Sequence, residues 1–316
     1  MVKVNNSNKL KNLDWGNLAI FGILGLLVIV LSIISPVFLS SKNIINVVRQ
    51  VTIVAVMAIG MTYILIAGEI DLSVGSIAAL AGIIVTMSLK AGFTITISII
   101  LALGVGILCG SMNGAVHTYI RIPSFIVTMG MLNIARGAVL VITNSYPVTG
   151  LPESFKLIGR GYVGIIPIPV IIMIVCYVIG HMILKYTKFG RSTFAIGGNI
   201  EAAKLSGIAV RKNKIIIFAI SGLTAAIAGI ILSSRMFSGQ PSAGAGLELD
   251  AIASCVIGGT STAGGKGRLW GTFLGALIMG VITNGMNLLN ISTNWQLIVL
   301  GLIIIFAVGL DRIRSK

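Results

Sequence analysis

Ten apolar runs follow one another between residues 17 and 310, with little water-soluble sequence between them. Their approximate bounds are 17–38, 45–67, 72–89, 93–119, 123–143, 164–185, 214–236, 248–262, 269–290 and 294–310. About twenty apolar residues match the hydrocarbon thickness of a bilayer. Inside lipid every backbone polar group must be satisfied internally, so runs of this length become helices. The sequence therefore predicts an all-α integral membrane protein with about ten transmembrane helices, forming a single transmembrane domain over residues 1–316. Charged residues make up 10% and mean hydropathy is +1.05, which excludes an ordinary soluble domain. The eighth run is short and glycine-rich, and is expected to be broken or re-entrant.

The net charge of +15 would suggest nucleic acid in a soluble chain. Here the basic residues sit between apolar runs, and the positive-inside rule accounts for them. With the N-terminal segment 1–16 in the cytoplasm, Lys9, Lys11, Lys185, Lys188, Arg211, Lys212, Arg312 and Arg314 fall on one side. Both termini are then expected to be cytoplasmic. The first run is too long for a signal peptide and no A-x-A site follows it, so it reads as a membrane helix. Residues 144–163 form a polar external segment. Residues 186–213 form the longest internal one, with the densest basic cluster. An ordinary anchor explains that cluster's charge, but its length suits a docking loop for a cytoplasmic partner.

Only eight residues are acidic, and half of them lie in two copies of Glu-x-Asp, Glu69–Asp71 and Glu248–Asp250. At one constant offset Gly104 matches Gly275, Asn113 matches Asn284 and Gly114 matches Gly285. These matches indicate repeats over approximately 45–143 and 214–310, inverted in the membrane. Each acid pair then marks a helix start, with Asp71 capping one helix and Glu248 and Asp250 capping another. A gating role for Glu69, Asp71, Ser73, Glu248 and Asp250 is the sharper alternative. The charge-based topology places the first pair near the cytoplasmic face and the second near the outer face, too far apart for one shared site. Asn113, Asn133, Arg136, Asn284 and Asn287 are polar within runs. They line a path or form interhelical hydrogen bonds. Gly104, Gly106, Gly110 and Gly114, like Gly271 and Gly275, have the spacing for close helix packing.

The run Gly258–Gly267 fails as a phosphate loop, with Thr260 where glycine is needed and Gly267 where Ser or Thr is needed. If ATP drives this protein, another chain binds it. His117 and His181 have no metal-ligand companion, the three cysteines lie in apolar runs, and no catalytic constellation is visible. The chain is expected to hold no metal and to catalyse no bond chemistry. Glu201–Gly207 reads as a short helix stopped by glycine.

At these residues the chain resembles the permease subunit of bacterial ribose-type ABC sugar importers. The stretches that carry the likeness are I-D-L-S-V-G-S at 70–76, E-L-D-A-I-A at 248–253, G-G-T-S-T-A-G-G-K-G at 258–267 and N-G-M-N-L-L at 284–289. Glu201, Ala202, Ala203 and Gly207 match the E-A-A-x-x-x-G pattern by which ABC import permeases couple to their ATPases. The resemblance covers about 30–310. It implies a bacterial cell-membrane location, a fold like that of vitamin B12 importer permeases, and a dimer of identical or similar chains. It further implies two cytoplasmic ATPase subunits that bind ATP and Mg, an extracytoplasmic sugar-binding protein, and a ribose-like pentose or related sugar as cargo. Glu69 departs from the family, where glycine is frequent. Ile208–Ala209 stands where Leu-Pro often follows the coupling pattern. An ion-coupled carrier acting alone is the alternative, although such carriers place ionisable residues mid-membrane and this chain's acids lie near predicted span ends.

Overall fold

The computed structural model describes the backbone of residues 15–314 and the side chains of residues 20–309. The basic residues before residue 15 lie outside the described residues. In chain order the helices are α1 (Trp15–Ile34), α2 (Ser41–Ile66), α3 (Val74–Lys90), α4 (Ile95–Ala115), α5 (Ser124–Thr143), α6 (Lys156–Arg160), α7 (Ile168–Tyr186), α8 (Lys188–Gly198), α9 (Ile200–Leu205), α10 (Val210–Met236), α11 (Leu247–Ile257), α12 (Leu269–Leu288) and α13 (Thr293–Arg314). A π-helical turn, Val116–Ile120, prolongs α4, and a two-stranded hairpin precedes α7. Helices α2, α4 with its extension, α5, α7, α10 and α12 are long and apolar enough to cross a membrane, and Ile20–Ile34 of α1, Val74–Lys90 (α3) and Thr293–Gly309 of α13 are shorter apolar helical segments. The chain is an all-helical, multi-pass membrane protein.

Within the eighth run, 248–262, the helix stops at Ile257, before Gly258 and Gly259. This helix, α11, has eleven residues, and the stretch 237–246 before it is irregular. Pro241 has no amide to donate, and Gly244 and Gly246 take φ of 76° and 86°, a left-handed region that side chains disfavour.

Helices α2 and α10 form the buried centre. In lipid there is no hydrophobic drive between helices, so close backbone approach through small residues holds them. A Cβ on Gly222 of α10 would collide with the carbonyl of Gly106 on α4, and one on Gly60 of α2 would collide with Ser221 and Thr224 of α10. Gly106, Gly110 and Gly114 all lie against α10, as their spacing predicts. Gly104 does not, for it faces open space. Gly271 and Gly275 pack α12 onto Gly258 and Ser254 at the end of α11.

Side-chain pairs fix the helix directions. Asn43 and Asn284 exchange two hydrogen bonds of 3.0 and 2.9 Å, and Thr62 meets Thr272 at 2.8 Å, so α2 and α12 are antiparallel. Asp71 meets Ser221 and Gly82 meets Ser233, so α3 runs parallel to α10.

Candidate translocation path and coupling surface

The connection between α2 and α3 carries the first Glu-x-Asp. Asp71 is fully buried, and it does not cap α3 as expected. The N-cap position is Ser73, which makes no capping bond of its own. Asp71 Oδ1 instead accepts from the Ser73 amide at 3.0 Å and the Ser73 hydroxyl at 2.6 Å, closing an Asx turn before the helix. Its Oδ2 accepts from the Ser221 hydroxyl at 2.7 Å, and Asn113 Nδ2 donates to Ser73 Oγ at 2.9 Å. Loop, α4 and α10 are thereby fastened around one buried carboxylate.

The second copy meets the capping expectation in part. The N-cap of α11 is Gly246, and Glu248 and Asp250 lie in the first helical turn. Glu248 Oε1 accepts from the Gly246 amide at 3.3 Å, as the capping expectation has it, and both carboxylates complement the helix dipole. Their position corrects the charge-based topology too. The Glu248 carboxylate lies against Gly75 in the first turn of α3, where a Cβ would collide with it and with the Gly244 carbonyl. Gly75 is only four residues from Asp71, so Glu248 meets the first helix start within the bundle, whereas Glu69 stays with Lys214 at the start of α10.

Arg136 of α5 meets the same region. Its Nη1 donates to the carbonyls of Pro241 and Ala243, both at 2.8 Å. The irregular stretch thus keeps its unpaired carbonyls satisfied inside the bundle. A cavity flanks it on each side. One, of about 300 Å³, includes Gln50, Ser242, Asp250 and Thr283 in its wall, and the other, of about 410 Å³, includes Arg136, Ser145, Gln240 and Ser242.

Glu69 lies outside the helical spans, between α2 and α3. It accepts a hydrogen bond from Lys214 Nζ and lies 3.0 Å from His117 Nε2, while His117 Nδ1 lies 2.7 Å from the Ile122 carbonyl. Burial would raise the Glu69 pKa, but the bonds to His117 and Lys214 and the lysine charge outweigh it and hold the carboxyl at about 2. This cluster ties the loop, the π-turn after α4 and the start of α10 together. The sequence reading missed it. The available signal was scarcity, since Lys214 is a cation set just inside an apolar run.

Helices α8 and α9 lie in the segment 186–213, which the sequence reading placed inside. Asn199 Oδ1 caps α9 by accepting from the amides of Glu201 and Ala202, both at 3.0 Å. Gly207, at φ 78°, ends it as the sequence predicted. Ala203 is buried with Ile196 and Val210, which anchors α9 to α8 and α10. Glu201, Ala202, Lys204 and Leu205 face outward, Leu205 being 91% exposed. The glycine-rich run is a structural turn against the end of α8, at Gly197 and Gly198, with Gly265 N donating to the Ile66 carbonyl at 2.8 Å.

The remaining predicted path residues separate by environment. Asn113 and Asn284 are buried in the interhelical hydrogen bonds described above. Asn133 is exposed on α5, and Asn287 is exposed at the end of α12, where it accepts from Gln296 at 2.9 Å.

A multi-pass helical bundle with a broken span between two cavities, and a capped helix projecting from one end, is the membrane component of a transport system. The chain belongs to the family described as branched-chain amino acid transport system / permease component, which matches residues 43–308. It is a transporter subunit and not an enzyme. It is 46% identical over 292 residues to the ribose import permease protein of Bacillus subtilis (strain 168), covering 92% of this chain and 91% of that protein. The ribose import permease protein of Escherichia coli (strain K12) is 42% identical over 289 residues, 90% of each chain. The xylose transport system permease protein of Haemophilus influenzae is 38% identical over an alignment of 341 residues, covering 88% of this chain and 91% of that protein. No solved structure matches.

Proposed function

We propose that this chain is the permease subunit of an ATP-driven importer that moves a ribose-like pentose into a bacterial cell by alternating access. The observation that carries the reading is the likeness, over nine-tenths of the chain, to permeases named for ribose import. These relatives favour a multi-subunit system over the ion-coupled carrier. The partners on this reading are a second permease chain, two cytoplasmic ATPase subunits holding ATP and Mg, and an extracytoplasmic sugar-binding protein. Glu201, Ala202, Ala203 and Gly207 form the coupling surface, and the exposed face of α9 supports that assignment. The sugar passes beside the broken span, between the two cavities.

The fold on this reading has ten crossings, with α11 and its irregular lead-in as the eighth, cytoplasmic termini and a likeness to vitamin B12 importer permeases. Two inverted repeats, α2–α5 and α10–α13, are supported by the packing. Helix α10 packs on α4 as α2 packs on α12, and α3 packs on α5 as α11 packs on α13. Glu69, Asp71 and Ser73 hold the start of α3, and Glu248 and Asp250 the start of α11, as a gate between the halves.

The test is labelled ribose uptake into proteoliposomes holding the permease, its ATPase and the binding protein. ATP-dependent uptake competed by pentoses supports the reading. Uptake driven by a proton gradient through the lone chain overturns it.

A further inference from the structure

Away from the broken span, α7 and α12 line an apolar groove of about 490 Å³. Tyr177, Val178, His181 and Met182 line one wall, and Trp270 and Phe273 line the other. The aromatic rings are mutually packed. Tyr177 meets Phe273 edge-on at 5.5 Å, and Trp270 lies 5.6 Å from Phe273. The walls are therefore firm, yet Trp270 remains 56% exposed.

The groove's length and charge point to one occupant. Its α7 wall runs from Met173 to Met182, about 14 Å at the helical rise per residue. That is close to half of a ~30 Å hydrocarbon core, the depth of one leaflet. One end lies where α7 stops and α12 begins, at the end of the bundle that carries α8 and α9. Trp270 and His181 stand there, and an indole at that level suits the membrane interface. Lys185 follows one turn beyond His181 on the same face of α7, and Lys188 opens α8; both are exposed. Lys185 rests 5.3 Å over the Tyr186 ring, which leaves its ammonium at the surface. The nearest acid on this segment, Glu201, is already paired with Lys204 at 2.7 Å. An apolar groove whose α7 wall is one leaflet deep, and which α12 closes near the end that carries the cations, complements a lipid with an anionic head.

We propose that this groove is a binding site for an anionic phospholipid of the leaflet facing α8 and α9. One acyl chain lies along Tyr177, Val178 and Phe273, and the phosphate lies against Lys185 and Lys188. The site is independent of the sugar path.

Trp270 supplies the readout. The full chain carrying Trp15→Phe and Trp295→Phe is reconstituted into vesicles doped with brominated phosphatidylglycerol or brominated phosphatidylcholine, and tryptophan quenching is titrated. The expected result is preferential quenching by phosphatidylglycerol. Lys185→Gln should reduce that preference roughly fivefold, the effect of one lysine near a charged lipid surface. Lys90→Gln, at the other end of the bundle, should leave it unchanged. Equal quenching by both lipids, or a preference untouched by Lys185→Gln with Lys188→Gln, overturns the proposal. Absence of quenching by either lipid also overturns it, because protein and not lipid then fills the groove.

Discussion

Replacing Lys214 with methionine tests whether the Glu69 cluster holds the bundle together. Side-chain exposure is 11% for Glu69, 9% for Lys214 and 13% for His117, so water cannot rescue an abandoned charge. Removing one partner of a buried pair costs about 3–5 kcal/mol. The carboxyl gives a second measure, because a drop from its ordinary 4.5 to about 2 corresponds to about 3 kcal/mol of preference for the charged form. Using ~2 °C of melting temperature per kcal/mol, the single variant should melt roughly 6–10 °C lower in detergent. The double variant Glu69→Met with Lys214→Met should recover most of this, because no charge is then left buried, and the cycle should show a coupling of at least ~2 kcal/mol. The pH dependence carries its own sign. Glu69 is more acidic in the fold than in the unfolded chain, so its stabilisation is complete above about pH 4.5 and is lost as pH falls toward 2. Glu69→Gln should abolish that acid limb. The assay is thermal unfolding followed by fluorescence between pH 3 and 8. A Lys214→Met variant that melts within 2 °C of wild type, or single effects that simply add in the double variant, would refute the reasoning.

Three further outcomes are expected. Gly75→Ala places a methyl group where the Glu248 carboxylate lies, so sugar uptake should fall at least tenfold while the ATPase still co-purifies; normal uptake would show that the two half-helix starts do not meet. Asn284→Ala removes both reciprocal bonds to Asn43, at about 1 kcal/mol for an interhelical polar pair, and should lower the melting temperature by ~2 °C, with Asn43→Ala adding little to it. Gly222→Leu drives a side chain into the Gly106 carbonyl and should prevent recovery of monodisperse protein, whereas Gly104→Leu, which meets open space, should be tolerated, as gel filtration would report.

The helices were legible because lipid leaves the backbone few options. Apolar length alone located them, and Gly207 announced the end of α9 through a conformation that glycine adopts cheaply. Capping was legible only in part. Asp71 and Asp250 stand at the right chain positions, yet the cap falls on Ser73 and Gly246, because an Asx turn and a left-handed glycine intervene. Side-chain pairing across long separations was not legible. Nothing local to Lys214 points to Glu69, 145 residues away.

The larger error concerned depth, and its cause is physical. Charge asymmetry sorts loops to one side or the other of a bilayer and assumes that each run crosses completely. A run led in by irregular chain within the bundle breaks the assumption, because its helix begins inside the bundle. The α11 start therefore lies beside Gly75 and not at a surface, and Arg136 satisfies the carbonyls of Pro241 and Ala243 that a full helix would have bonded internally. The same geometry explains why scarce acids cluster there. Two helix starts meeting within the bundle bring their positive dipole ends together, and carboxylates at Asp71, Glu248 and Asp250 offset the repulsion. A chain that conducts an uncharged sugar can place acids in this position for structure, and still leave a polar surface beside the cavities.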